Sequence, residues 1–359
     1  MNSKDRFEYA CKHIAIDRPP IDYLGHREVD HKLKNHLGLN TEEELLDYLG
    51  CDFFYLPSRD ISQNEGFMLC YKGTRLEVRE KERVCPFGIR WLRGAYDHKF
   101  MVDEAIAGPL ESISTEQDIL KHTWPKASEF DFSILESSCE AHADKVIVGG
   151  LWTGIMGDSY RLHGFQNFLL NMMMNPRLIK TLVDKVTDVY LELNDTLFSQ
   201  LNKKLDVWFF GNDFGSQNGL LFSVEMWCEF FLDNIKQLTS LAHSHGLKVM
   251  MHSCGGISKL IPYLIDAGVD ILDPIQVTAR DMNIESLKKD FGDKIIFHGG
   301  IDTQQVLPGS TPDEVRSHVS ETLRVLGKDG GYIFAPSQIL GPDIPVENII
   351  AAYQRAKCD

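Results

Sequence analysis

The sequence predicts a (β/α)₈ barrel, a TIM barrel, with an N-terminal helical and β-hairpin extension. Short apolar runs alternate with amphipathic helical stretches at least five times after residue 140. That rhythm demands a parallel sheet covered by helices. Neither a G-x-G-x-x-G turn nor a P-loop interrupts it. Each run also ends in Gly or polar residues, as in barrels, where chemistry gathers at the C-terminal strand ends. A doubly wound open sheet shares the alternation and is the second choice.

The elements follow in order. The first 60 residues read as helices with breaks: Pro19-Pro20 stops one, and Thr41 followed by Glu42, Glu43 and Glu44 starts another. From Gly66 to Trp91 the pattern alternates around Lys72-Gly73, which predicts a β-hairpin or small antiparallel insert. Residues 115–125 read as a capped helix stopped by Pro125. Strands are expected at 145–150, 207–213, 248–256, 269–276, 294–302 and 331–338. Helices are expected at 165–175, 178–201 and 225–246, the last closed by Gly246, with further ones near 258–268, after Pro312 and over the final VENIIAAYQRA. Residues 1–128 thus form a segment packed on the barrel, and 129–359 its main part, within one structural domain.

With 359 residues, 43% of them hydrophobic and 25% charged, the chain can bury a large core without staples. A net charge of −15 disfavours nucleic acid or an anionic membrane as partner. No apolar stretch reaches membrane-spanning length. The N-terminus lacks the apolar core of a signal peptide. Eight scattered cysteines show no paired spacing, so reduced thiols and a cytoplasmic location are expected.

The expected strand ends carry the polar chemistry. They offer Asn212, Asp213 and Gln217; His252 and Cys254; Asp273 and Gln276; His298, Gly299-Gly300 and Asp302; and Ser337 and Gln338. Singly each is weak, since a strand-end His is more often structural; the convergence of five strands on one mouth favours function. His252 and Cys254 are two apart, so in a strand they share a face and can meet one cation. Their nitrogen and sulfur suit Zn²⁺, and Gly255-Gly256 keeps the neighbourhood free of side chains. The competing reading is a buried thiol beside a hydrogen-bonded His. Met172, Met173 and Met174 with Phe165, Phe168 and Trp152 read as core at helical spacing, with an apolar substrate pocket as the alternative. Tyr332 and Ser337 are further hydrogen-bonding candidates.

The runs GNDFGSQNG, HSCGGISKLIPYLIDAGVDILDPIQ, HGGIDTQQVLPGSTPDEV and APSQILGPDIPVENI together resemble the uroporphyrinogen decarboxylase superfamily. The resemblance implies a (β/α)₈ barrel with its site at the C-terminal face, and either a decarboxylase or a corrinoid-dependent methyltransferase. True decarboxylases carry a Met-Arg-Gln-Ala-Gly-Arg segment near the N-terminus, where this chain reads RPPIDYLGHREVDHKL. Its absence argues against a substrate with many carboxylates, which Arg pairs hold best. The methyltransferase branch fits better, with a decarboxylase-like lyase acting without metal as the alternative and a non-catalytic relative as a third class.

That branch implies Zn²⁺ on His252 and Cys254, and a corrinoid (cobalamin) on a partner protein. It also implies a later Cys ligand; Gln338 stands in its place here. Asp213 or Asp273 then completes the metal sphere, or the metal is weak or absent. Asp213 and Asp302 are expected to orient a metal-bound His or to move protons. Gln217, Gln276 and Gln338 are expected to bind a small methylated substrate such as a methoxylated aromatic, a methylamine or a thiol. A homodimer stays open.

Overall fold

The computed structural model describes residues 1–56, 69–75, 77–79, 81–97 and 100–358. Seven strands form one sheet in which spatial order follows chain order: Phe53–Tyr55, Val146–Gly149, Val207–Gly211, Lys248–His252, Ile271–Ile275, Ile296–Ile301 and Tyr332–Pro336. All their pairings are parallel. The eighth place is taken by Pro20–Asp22. Asp22 N donates to Phe334 O at 2.8 Å, Phe334 N to Pro20 O at 2.9 Å, and on the other side Asp52 N to Ile21 O at 2.8 Å. The same short stretch bonds both edges, so the sheet closes into a (β/α)₈ ring, as expected for the fold class.

Alternation along the strands sorts their side chains into two cores. Phe53, Val146, Val148, Val207, Phe209, Met250, Ile271, Ile296 and Ile333 fill the interior, and Phe7 of the helix Ser3–Cys11 joins them. Trp208, Phe210, Val249, Met251, Leu272, Phe297 and Phe334 belong to the core shared with the outer helices. On the interior parity, one step beyond Met250, Ile271 and Ile296, stand His252, Asp273 and His298. The top interior layer is therefore polar.

The helices follow their local chemistry. Pro176–Leu201 begins with Pro at its first turn, and Pro312–Leu326 carries a Thr311–Glu314 capping box. Thr41 and Glu44 form another. The segment read as one helix from 225 to 246 is helical from Val224 to Ser244 with a π turn at Cys228–Leu232, and Gly246 follows at φ 78°. No helix among the described residues is long and apolar enough to cross a membrane.

The sequence reading differs from the structure in two places. The segment 1–128 does not only pack on the barrel, since it supplies Pro20–Asp22 and Phe53–Tyr55 to the ring. The antiparallel insert exists but lies further along, as Glu77–Val78, Glu82–Val84, Arg90–Asp97 and Phe100–Ala107. Residues 66–68, 76 and 80 of the expected hairpin fall outside the described residues. Tyr71, just before Lys72-Gly73, instead bridges Phe130. Within the insert, buried Arg83 pairs with Asp103 at 2.8 Å and lies over the Trp91 ring. Arg161 of the helix Ile155–His163 covers the same ring and joins insert to barrel.

Candidate metal centre at the barrel mouth

Because every barrel strand runs the same way, the residues after the strand ends share one rim. The strand Lys248–His252 delivers the His252 imidazole to the top of the interior. The chain then turns, and Cys254 Sγ comes to 3.2 Å from His252 Nε2. Asp213, two residues beyond the preceding strand, brings Oδ1 to 3.5 Å from that nitrogen and accepts from Cys254 N at 2.9 Å. These three ligand atoms lie within 4.8 Å of one another, a spacing that can hold one metal ion.

The turn is possible because of glycine. Gly255 has φ +90°, and a Cβ there would sit 2.6 Å from the backbone of Gly215 and Ser216. It is the approach of this neighbouring hairpin that requires the missing side chain. A Cβ on Gly211 would strike Trp152 at 2.6 Å and the His252 Cβ at 2.7 Å. Trp152 packs edge-on to Phe209 and tilts toward His252 at 5.5 Å, which walls one side of the site.

Zinc bonds of about 2.0–2.1 Å to nitrogen and oxygen and 2.3 Å to sulfur put ligand atoms roughly 3.4–3.6 Å apart in a tetrahedron. The separations of 3.2 and 3.5 Å are close to that. His252 Nδ1 is engaged by Asp273 Oδ2 at 2.6 Å, which leaves Nε2 for the metal. The donor set thus fits a divalent zinc-like ion with a position left open.

Charge in the cluster is strongly coupled. Burial pulls the His252 imidazole down, but Cys254, Asp213 and Asp273 outweigh it and raise it well above its ordinary value. Desolvation acts to raise Asp213, yet His252 and Cys254 bring it down to about 2. Its side chain is 61% exposed, so this ion pair is partly screened by water. Asp273 is fully enclosed, and His298 and His252 overcome that burial to hold it well below the carboxylate range.

The other expected site residues divide. Gln338 reaches the centre: Nε2 donates to Cys254 Sγ at 3.1 Å, while Oε1 accepts from Ile339 N. It touches the sulfur from the place where a later Cys, the third zinc ligand, was expected. Gln276 accepts from Gly255 N at 2.8 Å and donates to Gln217 Oε1 at 2.9 Å; Gln217 donates to Thr278 O at 2.6 Å. These two amides brace the Cys254 turn, using the very groups a substrate would need. Asp302 stands apart: Oδ1 caps Gln304 N and Gln305 N at 2.8 and 3.0 Å, and no contact among the described residues links it to His252 or Cys254. Tyr332 is buried and bonds Gly299 O, and Ser337 meets Thr303. Met172 and Phe168 are core, while Phe165, Met173 and Met174 face solvent, so only Trp152 of the apolar set borders the site.

Sequence reasoning overlooked Asp22. Its carboxylate accepts from His298 Nε2 at 2.9 Å and from the Tyr55 hydroxyl at 2.5 Å, beneath the centre. One Asp between Ile21 and Tyr23 gives no period to read.

The uroporphyrinogen decarboxylase (URO-D) family model matches residues 120–357, most of the chain and all of the cluster. The chain belongs to this family. No curated protein sequence matches it. Among solved structures, a methyltransferase from Methanosarcina mazei is 16% identical and superposes with a TM-score of 0.69 over 99% of this chain and 98% of that one. At that identity the likeness speaks for the fold. A 3-keto-D-glucoside 4-epimerase from E. coli (15% identical, TM-score 0.37, covering 63% and 84%) is more distant. So is a D-psicose 3-epimerase from Clostridium cellulolyticum (12%, 0.38, covering 69% and 93%). The matched residues begin at 120, so the stretch that closes the ring and carries Asp22 lies outside the match.

Proposed function

We propose that this URO-D family member is a metal-assisted methyltransferase. It moves a methyl group between a small methylated substrate and the cobalt of a corrinoid held by a partner protein. The observation that carries the reading is the convergence of Cys254 Sγ, His252 Nε2 and Asp213 Oδ1 at the mouth. When bound there, zinc would supply Lewis acidity to the sulfur, oxygen or nitrogen that gives or takes the methyl.

The chain's own residues prepare the place. Asp273 fixes the tautomer and tilt of His252. Asp213 and Gln276 hold the backbone amides of Cys254 and Gly255, and Gln338 hydrogen-bonds the sulfur. Trp152 and Phe209 provide an apolar wall. In transfer to Co(I) the carbon–cobalt bond forms as the bond from methyl to its S, O or N breaks. The leaving atom keeps the electron pair, and cobalt ends as Co(III). Oriented reactants in a partly dry mouth are what such a displacement needs from a protein.

A decarboxylase acting on a polycarboxylate gains no support from the site. The side chains gathered there are carboxylates, amides, an imidazole and a thiol: Asp213, Asp273, Gln276, Gln338, His252 and Cys254. The test is to mix zinc-replete protein with cob(I)alamin or a reduced corrinoid protein and a panel of methyl ethers, methylamines and methyl thioethers. Methyl–cobalt absorbance is expected with one class of donor. No methylcobalamin from any donor, and no demethylation of methylcobalamin by a thiol, contradicts the reading.

A further inference from the structure

Beneath the metal ligands lies a row of buried ionisable groups. Asp273 bridges two imidazoles, with Oδ2 at 2.6 Å from His252 Nδ1 and Oδ1 at 2.6 Å from His298 Nδ1. The other His298 nitrogen, Nε2, is 2.9 Å from Asp22 Oδ2. The Tyr55 hydroxyl and Tyr23 N complete the Asp22 carboxylate. Asp22, Asp273 and His298 are 1%, 2% and 0% exposed.

Stability alone does not account for this row. Taking such charges out of water costs several kcal/mol each, and apolar residues of similar volume often serve as well or better. The interior layers below use apolar residues throughout. Geometry shows what the polar layer does instead. Each nitrogen of His298 faces a carboxylate oxygen, so the ring is gripped from both sides. It holds one oxygen of Asp273, so the other is aimed at His252 Nδ1.

We propose that His298 and Asp22 are positioning residues for the metal centre, acting through Asp273 to keep His252 Nε2 turned to the mouth. The proposal rests on the metal reading above. It has a second consequence, because Asp22 also lies in the stretch that closes the barrel between Phe334 and Asp52. Metal binding and barrel closure are then coupled, and coupling of binding free energies is reciprocal.

The test is zinc affinity, measured by competition with a chromophoric chelator, for wild type, Asp22→Asn, His298→Gln, the double variant and His252→Ala. Each single positioning variant is expected to bind zinc about 10–100-fold more weakly. The double variant should lose no more than the worse single, because both act through one carboxylate. The visible bands of cobalt(II)-loaded protein should shift in both singles. A merely structural role would lower the melting temperature yet leave the affinity and the spectrum of the folded protein unchanged, and that result overturns the proposal. If wild type outbinds His252→Ala while Asp22→Asn and His298→Gln match wild type, this proposal alone fails. If wild type binds no better than His252→Ala, the metal reading fails with it. Should the variants not fold, hydrogen exchange on wild type decides. Zinc should slow the amides of Ile21, Asp22 and Tyr23 more than those of the remote strand Glu82–Val84, and equal or no slowing overturns the coupling.

Discussion

At the residue scale, His298 shows how a fold sets the charge of a side chain. Burial disfavours its imidazolium, but Asp273 and Asp22 on either side outweigh that and raise it to about 9. The folded value lies above the ordinary one of about 6.5, so the folded state holds the proton more tightly. The stability this contributes is fully present below about pH 6.5 and is lost as the pH rises through about 9. We expect denaturant midpoints of the wild type to fall between pH 7 and pH 10 by the equivalent of roughly 2 kcal/mol, and this part of the slope to vanish in His298→Gln. Equal slopes in the two proteins would contradict the assignment. His252 and Cys254 were legible as a pair by chemical type and spacing. The expected strand to residue 256, however, stops at His252, and a turn rather than strand parity brings the thiol to the imidazole. The tasks of Gln217, Gln276 and Asp302 were not legible, because an amide or carboxylate at a strand end looks the same whether it binds substrate or braces a loop.

At the element scale, the least legible parts are the shortest. The runs after residue 129 announce themselves by length and apolar content, and six of the seven sheet strands lie there. Phe53–Tyr55 has three residues, and Pro20–Asp22 lacks any period, so neither can show alternation. The closing stretch is specified instead by tertiary bonds to Asp52. That carboxylate, 2% exposed, accepts from Arg18 at 2.6 Å, Arg6 at 3.1 Å and Ile21 N at 2.8 Å. Removing one partner of a buried ion pair strands the others, so Asp52→Asn should lower unfolding free energy by about 3–5 kcal/mol. Denaturant unfolding followed by circular dichroism measures it. A loss below about 1 kcal/mol would mean that the N-terminal stretch is held chiefly by something else. The antiparallel insert was foreseen in kind but displaced along the chain, since Lys72-Gly73 carries a turn signal that the chain uses for a bridge at Tyr71 instead.

At the scale of the whole molecule, a parallel ring gathers side chains that are far apart in sequence. Asp22, Asp213, His252, Cys254, Asp273, His298 and Gln338 span most of the chain and meet in one connected group. The apolar layers below fix the strands, and the polar layer above uses that rigidity to aim a few atoms at one point. The most direct test of this account is the zinc content of purified wild type, Cys254→Ser and His252→Ala, by elemental analysis after dialysis against trace zinc. The account predicts about one zinc per folded wild-type chain and little in either variant, each keeping the wild-type circular dichroism. Full zinc in both folded variants, or none in folded wild type, would contradict it.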